Sequence, residues 1–288
     1  MEQALEVKGL RKEYKGFALK DVSFALPQGT IMGLVGPNGA GKTTVIKLIL
    51  NLIRRTAGEI TVFGRDIIAH EKALKSRIGF VHETPRLVED APLKDLAAAV
   101  APFYASWDED NFRSLCGEFG LPLAKKFKKL SHGMKMKFSL ALALAHDADL
   151  LILDEPTSGL DPVFRRELLE RLSGLIQDER KAVLFSTHIT SDLEATADYI
   201  TFLHAGDVVF SLPKDEVRET WGIVKGDREL LNGAARSLFK GVRETPFGAE
   251  ALTADILAVR AALPSGALIE RATIEDIMVF MDRGASHA

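Results

Sequence analysis

The octapeptide Gly36-Pro37-Asn38-Gly39-Ala40-Gly41-Lys42-Thr43 fits the pattern G-x-x-x-x-G-K-[ST]. It stands between an apolar run, Ile31 to Val35, and a segment whose pattern turns helical near Lys42. No other feature of the chain narrows the fold as much. Glycines at 36, 39 and 41 let successive backbone N–H groups turn inward around oxyanions. A helix that starts behind the loop aims its positive end at the same place. A strand, this loop and a helix, in that order, form a phosphate-binding unit. In such a unit Lys42 reaches the β- and γ-phosphates of a nucleotide, and the Thr43 hydroxyl offers Mg²⁺ the hard oxygen ligand it prefers.

A second segment answers the first. Leu150-Leu151-Ile152-Leu153 is an apolar strand pattern that ends in two adjacent carboxylates, Asp154 and Glu155. Buried strands of α/β sheets deliver functional groups at their C-terminal ends. Asp154 is placed to hold Mg²⁺ through water, and Glu155 to orient and deprotonate an attacking water.

The rest of the chain suggests how these pieces are held. The first 35 residues read as short strands and turns, with Val22, Phe24 and Leu26 alternating as in a half-buried strand. Further strands are predicted over Glu59–Phe63, Ile78–Val81, Ala182–Ser186, Ile200–His204 and Val208–Ser211. Helices are predicted over about Leu93–Phe119 and Gly133–Ala145, after Pro162 and from Asp192. Alternation of this kind argues for an α/β fold with a parallel sheet covered on both faces. The pattern changes near Leu212-Pro213. A short strand–helix–strand–helix series and a last helix, Ile274 to Met281, are expected after it, so the domains are read as 1–211 and 212–288.

Composition excludes several classes. With 37 Lys+Arg against 40 Asp+Glu, the net charge of −3 gives no support to nucleic-acid binding. The single cysteine, Cys116, cannot form an internal disulfide, which fits a reducing cytosol, and it reads as a small buried apolar residue rather than a reactive thiol. Met1-Glu2-Gln3-Ala4 does not begin a signal peptide, and apolar runs such as Leu140 to Ala145 are far shorter than the roughly 18 residues of a membrane span. The basic run Lys125, Lys126, Lys128 and Lys129 reads as a solvated face, with lipid headgroups or a partner as the alternative.

From about Glu6 to Leu212 the sequence resembles an ATPase of the ATP-binding-cassette (ABC) kind. Besides the two segments above, Leu130-Ser131-His132-Gly133-Met134 resembles the family signature, usually Leu-Ser-Gly-Gly-Gln. Ser158-Gly159-Leu160-Asp161 resembles the loop that communicates between the two sites of a dimer, and His188 the histidine that contacts the γ-phosphate. The resemblance implies a mixed-sheet core with an antiparallel β subdomain and a helical subdomain at about 84–147, and the pattern after residue 212 adds a small C-terminal α/β accessory domain. The resemblance implies ATP and Mg²⁺ as ligands. Gly36, Pro37, Asn38, Gly39, Ala40, Gly41, Lys42, Thr43 and Thr44 would bind nucleotide, Tyr14 would stack on adenine, and Glu155 and His188 would be catalytic. Thr43, Asp154 and Glu83 would serve the metal, Glu83 standing where the family usually places glutamine. Ser131 and Gly133 would contact the γ-phosphate bound on an opposite subunit, so a homodimer or a heterodimer with a second ABC ATPase is expected.

The resemblance further implies a transport ATPase, cytoplasmic and peripheral on the inner face of the cell membrane. Its channel would lie on a separate permease chain that docks just after Glu83, at about Thr84 to Phe112. The continuation Gly133-Met134-Lys135 and the tail Ile274 to Met281 look like ATPases of drug- or antibiotic-linked exporters. The alternative is a soluble ABC-type ATPase acting in DNA maintenance or on ribosomes. Against it stand the absence of a coiled-coil insertion between Lys42 and Ser131 and the single cassette. A purely structural nucleotide-binding module is disfavoured by the presence of both Glu155 and His188.

Overall fold

The computed structural model describes residues 2–227, 231, 234–246, 248–263 and 267–284. It divides into two compact units, the first ending at Phe210 and the second starting at Ser211.

The first unit begins with β1 (Gln3–Tyr14), β2 (Phe17–Pro27) and β3 (Ile31–Val35), followed by α1 (Lys42–Ile49), β4 (Ala57–Val62), β5 (Arg65–Asp66) and α2 (Glu71–Lys75). Next come β6 (Ile78–Val81), α3 (Leu93–Val100), α4 (Glu109–Glu118) and α5 (His132–Leu144). It continues with β7 (Leu150–Asp154), α6 (Pro162–Leu175), β8 (Ala182–Thr187), α7 (Thr190–Thr196) and β9 (Tyr199–His204), and the division falls within β10 (Asp207–Pro213).

Two sheets result. One is antiparallel in β1–β2, β1–β4 and β4–β5, with order β2-β1-β4-β5. The other has order β10-β9-β3-β8-β7-β6 and is parallel from β9 through β6. Every residue of β3, β7 and β8 is buried, which is why these strands read as unbroken apolar runs rather than alternating ones. Val22 and Leu26 of β2 join Ile46 and Ile49 of α1 and Ile152 of β7 in one core. Each such side chain contributes about 1.5–3 kcal/mol on burial, and that packing fixes where the strand ends point.

Two local expectations are corrected. The helical stretch predicted over Leu93–Phe119 is broken: a 3₁₀ turn, Ala101–Phe103, follows α3, and Tyr104 is extended. Pro102 supplies the reason, since it has no N–H for the helix ladder and its ring crowds the carbonyl of the preceding turn. Helix resumes at α4 because the Asp108 carboxylate accepts from Asn111 N. The opening segment is not a set of short strands. β1 runs 12 residues, with register shifts against β2 between Val7 and Leu10 and between Leu10 and Lys12 that disrupt its alternation.

The second unit contains α8 (Lys214–Thr220), β11 (Gly222–Gly226), β12 (Phe239–Thr245), β13 (Gly248–Thr253), α9 (Ile256–Ala262), β14 (Leu268–Arg271) and α10 (Ile274–Gly284). A helix, not a strand, comes first. Asp215 and Glu216 sit in its first turn, where acidic side chains favour the positive end of a helix. The sheet order is β12-β13-β11-β14, and every pairing is antiparallel. The connection between β12 and β13 is too short for a parallel crossover. Val224, Phe239, Ala251 and Val259 form the core of this unit.

Among the described residues no helix is long and apolar enough to cross a membrane.

Candidate functional site

β3 ends at Val35, and the chain then leaves the sheet through Gly36. A Cβ at 36 would lie 2.1 Å from the Leu203 carbonyl oxygen, so only glycine can pass there. Gly41, with φ +112, is the N-cap of α1 and makes no side-chain cap. The first-turn N–H groups of α1 therefore have no side chain turned back on them, which is the arrangement that receives phosphate oxygens. A Cβ at Gly41 would sit 2.7 Å from Leu19 Cδ2 and 2.9 Å from Phe17 Cζ, so β2 presses directly against the loop.

Lys42 is buried. Its Nζ donates to the Gly36 carbonyl at 2.7 Å and lies 3.4 Å from Glu155 Oε1. The parallel register brings the other groups to the same rim. Asp154 ends β7 opposite Ser186 on β8. Ser186 Oγ donates to Asp154 Oδ1 at 2.7 Å and accepts from Glu155 N at 2.9 Å. Thr43 Oγ1 donates to the same Asp154 oxygen at 3.2 Å. The other oxygen, Asp154 Oδ2, is buried and has no hydrogen-bond partner among the described residues. An orphaned carboxylate oxygen is costly unless something else satisfies it, and beside the Thr43 hydroxyl it suits a hard cation.

Glu155 has φ +49, an uncommon backbone conformation for a residue with a side chain. Its carboxylate is nearly enclosed, and Oε2 lies 2.7 Å from His188 Nδ1 and 3.3 Å from His188 N. A carboxylate oxygen accepts, so this contact favours the His188 tautomer with its proton on Nδ1.

Lys42, Thr43, Glu155 and His188 face one cleft of about 620 Å³, lined by Asn38 to Thr44 together with Phe17, Glu83, Glu155, Ser158 and His188, whereas Asp154 and Ser186 are fully buried and are not part of its lining. Glu83, on the loop after β6, is thus brought to the phosphate loop. Among the described residues, no three of His, Cys, Asp and Glu are grouped as a metal cage. Mg²⁺ commonly takes only one or two carboxylates and completes its shell with water and phosphate. Tyr14 does not line the cleft. It is half exposed at the end of β1, under Lys12 at 5.1 Å, and faces Phe17 in the β1–β2 register. Ser131 and Gly133 also lie outside the lining, at the start of α5, where Ser131 Oγ caps Met134 N at 3.3 Å.

Phe17 and Ser186 are the residues that sequence reasoning missed. The clue for Ser186 was a hydroxyl at the end of a buried strand, level with Asp154. Phe17 carries no motif of its own. Elsewhere, Cys116 is buried and its thiol is pushed up to about 11 by desolvation, as an inert core residue would be. Lys126 and Lys128 pair with Asp90 at 3.3 and 2.6 Å, on an exposed face.

A phosphate loop on a parallel sheet, with a paired acid and base at its rim, defines a nucleotide-hydrolysing P-loop protein. The sequence profile described as "ABC transporter" matches residues 19–158. The lantibiotic transport ATP-binding protein SrtF of Streptococcus pyogenes is 33% identical over 214 residues, covering 73% of this chain and 91% of that protein. The bacitracin transport ATP-binding protein BcrA of Bacillus licheniformis is 33% identical over 194 residues, covering 67% of this chain and 63% of its own length. A solved structure titled "Structure of ATP binding subunit of ABC transporter" superimposes with a TM-score of 0.69 at 32% identity, covering 75% of this chain and 92% of that one. The chain belongs to the ABC transporter family, as an ATP-binding ATPase subunit.

Proposed function

We propose that this subunit hydrolyses Mg-ATP with Glu155 as general base, and that it powers an exporter whose membrane-spanning part is a separate chain. The observation that carries the chemistry is the enclosed Glu155 carboxylate, held between His188 Nδ1 at 2.7 Å and Lys42 Nζ at 3.4 Å. In this reading the Gly36–Thr44 backbone wraps the phosphates and Lys42 offsets their charge. Glu155 accepts a proton from the water that attacks the γ-phosphate, and His188 orients the carboxylate through its Nδ1–H. Asp154 and Thr43 would hold Mg²⁺, with Glu83 beside them. The fit rests on the buried, unpartnered Asp154 Oδ2 and the neighbouring Thr43 hydroxyl. When bound, the ion offsets charge on the phosphate oxygens. Tyr14 stacks on adenine.

Ser131 and Gly133 complete the site of a second ABC ATPase chain, identical or different, so the working unit is a dimer. The permease docks at about Thr84 to Phe112, with the ATPase on the cytoplasmic face of the membrane. The antibiotic-transport names of BcrA and SrtF favour export. The deciding test is reconstitution with a multi-span membrane protein encoded beside this chain. ATP hydrolysis should rise when the two are combined in vesicles, and labelled cargo should accumulate on the side opposite the ATPase. Cargo moving toward the ATPase would overturn export, and a complex that never forms would overturn the separate permease.

A further inference from the structure

His132 stands where the family signature usually has glycine, and the structure gives its ring a partner. Nε2 lies 3.2 Å from the Ser158 carbonyl oxygen. A carbonyl can only accept, so the contact places the proton on Nε2. The ring also covers Gly159, whose Cβ, if present, would lie 3.2 Å from His132 Cδ2. Gly159 has φ +69, so a side chain there would be strained as well as crowded. One residue on, Gly133 approaches Leu160: a Cβ at 133 would lie 3.7 Å from Leu160 Cδ2. The start of α5 is therefore packed on the 158–160 segment through two successive residues.

That segment leads directly to the proposed base. Ser158 N donates to the Glu155 carbonyl at 3.2 Å, closing the turn that follows β7, and Ser158 itself lines the phosphate cleft. Along the chain of contacts, His132, the first residue of α5, meets Ser158, and Ser158 meets Glu155. A signature glycine has no side chain with which to make the first link.

We propose that His132 is a positioning residue, whose Nε2–H ties the loop after Glu155 to the start of α5 within the same chain. Movement at the start of α5 is thereby passed to Glu155. The direction of that coupling rests on the reading that Ser131 and Gly133 meet a partner's nucleotide. The contact itself does not rest on it.

Three substitutions separate the hydrogen bond from bulk. His132→Ala removes the donor. His132→Gln places an amide nitrogen near the former Nε2, whereas His132→Asn places one near the former Nδ1, too short to reach. On the scale of one lost hydrogen bond, His132→Ala and His132→Asn should lower kcat by about 3–10-fold, with KM for ATP little changed. His132→Gln should recover most of the loss. Hydrogen exchange on the nucleotide-free chain provides a second readout: amides of residues 157–161 should exchange several-fold faster in His132→Ala and return toward the parent in His132→Gln. A parent-like kcat in His132→Ala, unchanged exchange, or Gln behaving like Ala would each overturn the role. If the parent's activity per chain is flat on dilution of monomers while exchange responds as stated, the dimer reading falls and the contact stands.

Discussion

His188 Nδ1 lies 2.7 Å from Glu155 Oε2, and the His188 backbone N–H approaches the same oxygen at 3.3 Å. β7 and β8 are adjacent and parallel, so the residues just past their ends meet across the rim. The carboxylate is aimed by its neighbour strand rather than by its own loop. Glu155→Gln should slow hydrolysis by about 10²–10⁴-fold, the usual scale for a general base, while ATP binding survives. Turnover within about threefold of the parent would remove Glu155 from the role. Lys42→Ala should abolish hydrolysis, since the phosphates lose their nearest cation.

Asp154 is the next group to test, because one of its oxygens is committed to Thr43 and Ser186 and the other has no partner among the described residues. Asp154→Asn preserves size but removes the charge that would favour Mg²⁺. ATP affinity should depend on Mg²⁺ in the parent and become nearly independent of it in the variant. Titrations with and without chelator decide the matter. An equal Mg²⁺ dependence in both proteins would place the ion elsewhere.

Asp192 is buried on α7 and accepts from Thr157 Oγ1 at 2.6 Å and from Arg165 Nε at 2.7 Å. It links the loop after Glu155, helix α6 and the segment after His188. Removing one partner of a largely buried pair typically costs about 3–5 kcal/mol. Asp192→Ala should therefore lower Tm on the order of 10 °C for a unit of this size, and Asp192→Asn less, since its amide oxygen still accepts. Thermal unfolding is the measurement. An unchanged Tm for the Ala variant would show that the network adds nothing net.

The motif residues were legible in the sequence because their spacing is set by backbone geometry. Ile31–Val35 and Ile78–Val81 are strands with those limits, since strands covered on both faces carry no polar interruption. Legibility failed where distant segments meet. Phe17 reaches the phosphate loop only because β2 folds over Gly41, and the His132–Ser158 contact joins residues 26 apart. Nothing local encodes either. The helix break at Pro102 could have been read, because proline there carries its own reason.

Cys116 allows a test by pH. Its thiol is raised from 9.0 to about 11 in the folded chain, mainly by desolvation. Between those values the folded state holds a proton that the unfolded state has lost, so this group's contribution to stability falls as pH rises through that window and is level below it. A maleimide should leave the native protein unlabelled near neutral pH and modify it fully in denaturant. Rapid native labelling at neutral pH would mean that the helix carrying Cys116 opens readily.

Glu83 offers the most discriminating test of the cleft's charge. It lines the cleft with Thr43 and Glu155. A second carboxylate lining the cleft with Glu155 should attract Mg²⁺ in the nucleotide complex, because the ion favours anionic oxygen. The same charge should repel ATP that arrives without metal, with a strength that depends on how far solvent screens it. Glu83→Gln is nearly isosteric, so it changes charge without changing packing. The variant should need more Mg²⁺ for half-maximal hydrolysis and should lose less ATP affinity when Mg²⁺ is chelated. Raising salt should shrink both differences, since Glu83 is exposed. The measurement is ATP binding and turnover against Mg²⁺ concentration, for both proteins, at low and high ionic strength. Superimposable curves would mean that Glu83 does not act on the metal. A difference that salt leaves intact would instead indicate direct ligation, because a charge bound to the ion is not screened by the surrounding solution.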